Sequence, residues 1–287
     1  MKIINSLKFF FKTKEISLID NKKSYDLSVP LINHSNEIGL DTEFIWKNTY
    51  FPVLSLIQVS TEDKIFIFDC MNLDNLDSLN DIFNNQKIKK IFHSMRGDLT
   101  VLYNSLDSDF NNLFDTQIAE GIISNSENQI SYKNLVKKYY YKELPKTETN
   151  SNWQNRPLSI DQINYASDDV TYLIDIMKNQ KKIIDSKSLK SELDLACLKE
   201  KKISEESFVN SRLNRLIKKN RNISNLEKKI FIWRENEAKR RNVPPNNVFR
   251  DKELKRLKNN IESKNFNEFK WIIGNEESRN NFLLNFR

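Results

Sequence analysis

The chain has 287 residues, with 46 Lys+Arg against 39 Asp+Glu, a formal net charge of +7 and only four glycines. That length suits a domain of about 200 residues with a smaller one beside it. No run of about 18 apolar residues predicts a membrane-spanning helix, and so few glycines argue against Rossmann and P-loop nucleotide sites.

Charge is unevenly spread. Residues 1–198 carry 23 Lys+Arg and 27 Asp+Glu, whereas residues 199–287 carry 23 and 12. An acidic part followed by a basic part predicts two modules, the second suited to a polyanion, although the same side chains also serve simply to solvate helices.

At the N-terminus, Lys8 and Lys12 interrupt "MKIINSLKFFFKTK" and no small-residue cleavage site follows, so no secretory signal is expected. Cys70 and Cys197 lie far apart without metal-type spacing and read as reduced thiols of a cytoplasmic protein. Residues 1–35 give a weak signal. "GLDTEF" (39–44), "VLSLIQVS" (53–60) and "KIFIFDC" (64–70) predict three strands, close enough in sequence to be antiparallel neighbours. Leu73, Leu76, Leu79 and Phe83 then recur near the helical period. Residues 88–94 read as a strand, 96–106 as a helix, and 113–123 as an extended start running into a helix. A further helix begins near 131, and 146–157 is a polar loop ending in proline. Ser159 and Gln162 form a capping-box pattern with Asp161 in the first turn. Ile163, Ala166, Val170, Leu173 and Met177 continue from it at helical spacing. Beyond 180 the pattern is helical, broken near Asn220–Ser224 and at Pro244-Pro245. The fold class expected is an α/β sheet domain followed by an all-α one.

The costly feature is Asp41-Thr42-Glu43. Strand side chains alternate, so Asp41 and Glu43 share one face while Leu40, Thr42 and Phe44 share the other. Two acids in an apolar strand resist desolvation unless a cation or proton holds them. Either the strand lies at a solvated edge or something positive belongs there. Asp98 falls near the start of a helix that follows a strand. Tyr165 and Asp169, four apart, share a helix face, and Asp168 competes for the same role. Acids drawn from three segments can hold two hard divalent cations through oxygen, and such a pair can clamp a phosphodiester. Taken singly, Asp98 and Asp169 are read more readily as cap or solvated-turn residues. Tyrosine, with an ordinary pKa of about 10, is a poor base at neutral pH but can orient a water.

"GLDTEFIWKNTYFPVLSLIQVST", "IKKIFHSMRGDLTVL" and "NWQNRPLSIDQINYASDDVTYL" resemble, in order, the three exonuclease motifs of the ribonuclease D family. The resemblance covers residues 38–177 and belongs to the DEDD exonucleases, in the subgroup with tyrosine four residues before the last aspartate; it favours Asp169 over Asp168. It implies a ribonuclease-H-like mixed sheet and two divalent ions, Mg²⁺ or Mn²⁺. It also implies Asp41, Glu43 and Asp169 as metal ligands, Asp98 on the second metal or its waters, and Tyr165 positioning the attacking water. The implied activity is 3′–5′ exoribonuclease, releasing nucleoside 5′-monophosphates from RNA 3′ ends in transfer RNA precursors and small structured RNAs.

The chain has Ser151-Asn152-Trp153 where the family commonly has Ser-Asp-Trp. Lys146, Trp153 and Arg156 are candidate RNA contacts, weighed against a buried tryptophan and a surface arginine. His93 is expected to make a structural hydrogen bond; with His34 it completes the histidines, so a histidine-rich site is excluded. "WRENEAKRRNVPPNNVFRDKEL" resembles the HRDC domain, a small helical module. Leu226, Ile230, Trp233 and Ala238 would form its core, with Lys228, Lys229, Arg234, Lys239, Arg240 and Arg241 on its surface. Trp233 and Trp271 are both expected in the core. The domains expected are 1–205, the exonuclease, and 206–287, one HRDC-like module that binds nucleic acid, in a monomer. Two rival readings are a DNA-directed exonuclease of the same superfamily and a non-catalytic RNA-binding protein derived from a nuclease.

Overall fold

The computed structural model describes residues 14–106, 108–145 and 151–287. The chain opens with β1 (Glu15–Ile19), α1 (Lys22–Asn33), β2 (Glu37–Ile45), β3 (Val53–Ser60) and β4 (Lys64–Asp69). It continues through α2 (Asp77–Asn84), β5 (Lys89–Phe92), α3 (Arg96–Ser105), β6 (Leu113–Asp115), α4 (Thr116–Ser124) and α5 (Tyr132–Tyr140). Then come α6 (Ile160–Thr171), α7 (Leu173–Ser186) and α8 (Lys190–Glu205). A run of helices completes it: α9 (Phe208–Lys219), α10 (Asn225–Arg240), α11 (Leu254–Glu262), α12 (Phe269–Ile272) and α13 (Glu276–Phe286).

The six strands form one sheet in the order β1-β4-β3-β2-β5-β6. β2, β3 and β4 make the expected antiparallel meander. β1 adds parallel to β4, and β5 and β6 add in parallel on the side of β2. β3 is covered on both faces, so "VLSLIQVS" is a nearly continuous buried run rather than an alternating one. Gly39 is required by close packing. A Cβ there would run into Ser60 Oγ and lie 3.0 Å from Leu173 Cβ, because α7 closes over this part of the sheet.

The weak signal of residues 1–35 proves to hold β1 and α1. β1 is an edge strand with only Ile19 buried, and α1 carries Pro30 inside it and exposes Leu27 and Leu31. The apolar run from Ile163 to Met177 spans two helices, not one. At Tyr172 the backbone N–H reaches the Tyr132 hydroxyl at 3.1 Å, and the helical ladder restarts after it.

Helices α9 to α13 enclose a second apolar cluster around Ile230, Phe231, Trp233, Leu257, Phe269 and Phe282. Tyr50, from the β2–β3 loop, is part of that cluster. Two sequence expectations change here. Arg234 is buried rather than on the surface, because Glu235 and Asp251 pair with it and its guanidinium lies over Phe231. Trp271 is 76% exposed rather than in the core, with the Lys270 ammonium 5.0 Å from its ring centroid. Among the described residues, no helix is long and apolar enough to cross a membrane.

Candidate active site

β5 runs beside β2 only from Glu37 to Gly39, so the edge of β2 is open from Leu40 onward. Its N–H groups there need other partners. Asp98, in the first turn of α3, takes that place. One of its oxygens, Oδ1, accepts from the Thr42 backbone N–H at 3.1 Å and from the Thr42 hydroxyl at 2.6 Å. The turn into α3 is held by Asp115, which caps α4 and also accepts from the N–H groups of Ser94 and Met95 at 3.1 and 2.7 Å. Asp115 is a supporting residue that sequence reasoning missed. Its signal was an aspartate placed directly before a helix.

The capping box of α6 forms with both of its bonds, Ser159 to Gln162 and back. It fixes the start of a helix that packs across β2, β3 and β4. Tyr165 and Asp169 then stand one turn apart, and the tyrosine hydroxyl hydrogen-bonds the carboxylate. Trp153 is buried and packs on Tyr165, with ring centroids 5.9 Å apart. Arg156 is engaged by buried Asp69 in a two-pronged ion pair at 2.5 and 2.6 Å. Both side chains therefore work within the fold, behind Tyr165 and at the end of β4. Lys146 lies outside the described residues.

Asp41, Glu43 and Asp169 each present a carboxylate oxygen, and the three oxygens lie within 4.8 Å of one another. Asp98 is not one of these three, but its charge bears on all of them. Asp168 is not one of the three oxygen donors, but its charge comes next after burial in raising Asp169, while Lys142 partly offsets the burial of Asp168. Burial raises the whole group, and repulsion adds to it at Asp41, Glu43 and Asp169. The Asp41 carboxyl is held well above the usual range, first by burial and then by Asp98, Asp169 and Glu43. Glu43 is pushed up to about 9 by burial, Asp169 and Asp98. Asp98 and Asp169 also rise on burial, opposed by the bonds from Thr42 and Tyr165 respectively.

An all-oxygen donor set with unmet negative charge fits a hard divalent cation and does not fit a soft metal. His93 takes no part. Its two ring nitrogens meet Thr116 Oγ1 at 2.9 Å and the Ile130 carbonyl at 3.1 Å, and burial lowers its pKa to about 4.

Residues 18–185 match the family model described as 3′–5′ exonuclease, and strands β2 to β6 and the carboxylate cluster lie within that span. Ribonuclease D of Bartonella henselae is 33% identical over 241 residues, covering 82% of this chain and 59% of that protein. Ribonuclease D of Desulfotalea psychrophila is 33% identical over 224 residues, covering 75% and 59%. The crystal structure of Escherichia coli RNase D, described as an exoribonuclease involved in structured RNA processing, superimposes with a TM-score of 0.76. It is 25% identical, over 84% of this chain and 65% of that one. The chain belongs to the ribonuclease D family. It spans 59% of the length of these two curated relatives.

Proposed function

We propose that the protein is a metal-dependent 3′–5′ exoribonuclease that removes nucleotides from single-stranded RNA 3′ ends as nucleoside 5′-monophosphates. The observation that carries this is the convergence of Asp41, Glu43 and Asp169 oxygens within 4.8 Å. Asp41, Glu43, Asp98 and Asp169 would hold two divalent ions, Mg²⁺ or Mn²⁺. Such ions, when bound, supply a nucleophile at neutral pH and neutralise charge on the scissile phosphate.

The chain's own residues do the rest. Thr42 fixes Asp98, and the buried β2–β3–β4 platform fixes Asp41 and Glu43. Tyr165 bonds Asp169 and would orient the attacking water through its hydroxyl. Trp153 packs on the Tyr165 ring and would help hold it in place.

We assign residues 1–205 to the exonuclease unit and 206–287 to an HRDC-like unit whose exposed Lys and Arg would grip RNA phosphates without reading sequence. The relatives' names support RNA as substrate, and transfer RNA precursors or small structured RNAs, met by a monomer in the cytoplasm, are the proposed setting. The test is a time course on 5′-labelled RNA with a single-stranded 3′ tail, in Mg²⁺, Mn²⁺ or EDTA, beside a matched DNA strand and the Asp41→Ala protein. A metal-dependent ladder shrinking from the 3′ end on RNA, absent in the variant, is expected. Equal shortening of DNA, or RNA binding without cleavage, overturns it in favour of the two rivals.

A further inference from the structure

Gln58 is fully buried, and among the described residues neither its amide nitrogen nor its carbonyl oxygen has a hydrogen-bond partner. A buried amide with both ends unmet costs about 1–3 kcal/mol per group, and such orphans are rare enough to need a reason. Packing does not supply one. Leu56, Ile57 and Val59 on the same strand are equally buried, and an apolar side chain of similar size suits this setting.

Register gives the reason. Gln58 stands directly opposite Asp41 across the β2–β3 ladder. Opposed residues of an antiparallel pair share a face, with Cβ atoms roughly 4.5–5.5 Å apart. The neighbouring pair identifies that face. Ser60, two residues along from Gln58, donates to the Val170 carbonyl of α6 at 2.8 Å, and its opposite number Gly39 is closed over by Leu173. Gln58 therefore lies beneath α6, beside Asp41. Its NH₂ group has two donors to offer, and a carboxylate is the acceptor that takes them best.

We propose that Gln58 is a positioning residue for Asp41, its amide N–H donating to the Asp41 carboxylate once a divalent cation occupies the cluster. This rests on the metal-binding reading of Asp41, Glu43 and Asp169. In the metal-free protein the amide is an unmet cost; in the loaded protein it orients one ligand.

The two states respond oppositely to Gln58→Leu, and that separates positioning from packing. Melting in EDTA and Mn²⁺ affinity by calorimetry, neither of which depends on catalysis, are measured for wild type and variant. Gln58→Leu is expected to melt a few degrees higher without metal, because an unmet buried amide is gone, and to bind Mn²⁺ about tenfold more weakly. Unchanged affinity, or a fall in metal-free melting alongside weaker binding, overturns the proposal and leaves Gln58 a packing residue. Gln58→Met, with a more adaptable side chain, is held to the same two outcomes if the leucine protein does not fold. If wild type binds no Mn²⁺, the metal-site reading fails and this one with it. Wild-type binding with an unaffected variant removes Gln58 alone.

Discussion

Thr42 gives Asp98 both its backbone N–H and its hydroxyl, on the same carboxylate oxygen. The two residues are 56 positions apart, and the contact exists because β5 stops at Phe92 and leaves the edge of β2 open. A hydrogen bond to a charged group contributes about 1.5–3 kcal/mol. Thr42→Val keeps the backbone N–H and the side-chain shape but loses the hydroxyl. We expect it to lower single-turnover RNA hydrolysis by roughly tenfold to a hundredfold, with Thr42→Ser restoring most of the rate. Hydrolysis by the valine variant at the wild-type rate removes Thr42 from the reaction.

The acid cluster makes a pH prediction for the metal-free protein. Its carboxyls have folded pKa values above their unfolded ones, Glu43 about 9 against 4.5. Such a group supports the fold below its unfolded pKa and loses that support as pH rises through the folded one. In EDTA the melting temperature should therefore fall as pH rises from about 5 to 9. Saturating Mn²⁺ should flatten the decline, since a ligand that binds only the folded state stabilises it. Asp41→Asn removes one of the repelling charges and should melt higher than wild type in EDTA, while gaining little from Mn²⁺. A wild-type melting temperature in EDTA that does not change over this range counts against the cluster being repulsive.

His93 carries the opposite sign. Burial holds its folded pKa at about 4, below the ordinary 6.5. Between those values the unfolded chain binds more protons, so stability is full above pH 6.5 and is lost as pH falls toward 4. The shift sets a ceiling of about 3 kcal/mol on that loss. The imidazole is neutral at pH 7, with Nε2–H donating to the Ile130 carbonyl and Nδ1 2.9 Å from Thr116 Oγ1. The His93 Cε1–H resonance, assigned by its absence in His93→Gln, should not move between about pH 8 and 5.5. A midpoint near 6.5 would refute the buried neutral ring.

Asp41 and Glu43 were legible from sequence because two like charges in an apolar strand are expensive wherever that strand lies. Asp98 and Asp169 were not, since spacing alone reads them more readily as helix-start or surface acids. The resemblance to a family supplied them, and the contact with Thr42 and the bond from Tyr165 show how they are held. Gln58 gave no signal at all, because the cost of a glutamine in a strand depends on whether its amide is paired across the sheet. The meander showed through its three strand-like runs and the short connections between them. β1 did not, since an edge strand that buries one residue has almost no pattern to read. Arg234 and Trp271 exchanged places for the same reason. Periodicity places a side chain on a helix face but does not say which acids or which neighbouring helix will meet it.

The loop leaving β2 bears on how the helical unit serves the site. Beyond Ile45, Trp46 and Thr49 bond to the carbonyls of Tyr50 and Phe51 and turn the chain, and Tyr50 is buried among the C-terminal helices. Its N–H donates to Asn242 Oδ1 at 3.1 Å and its hydroxyl to Glu235 at 3.4 Å. Glu235 is fully buried and also accepts from Arg212 at 2.8 Å, while the Arg212 guanidinium lies 4.9 Å from the Tyr50 ring centroid. The strand that carries Asp41 and Glu43 is thus anchored at its far end in the helical unit. Breaking a buried charge pair by removing one partner costs about 3–5 kcal/mol, and emptying a large aromatic site costs a similar amount. Glu235→Ala and Tyr50→Ala should each destabilise by that order in denaturant unfolding. Because they share one contact set, the double variant should lose clearly less than the sum. Additive losses would mean that Tyr50 and Glu235 stabilise the protein separately, and the buried charge pair would then play no part in anchoring β2.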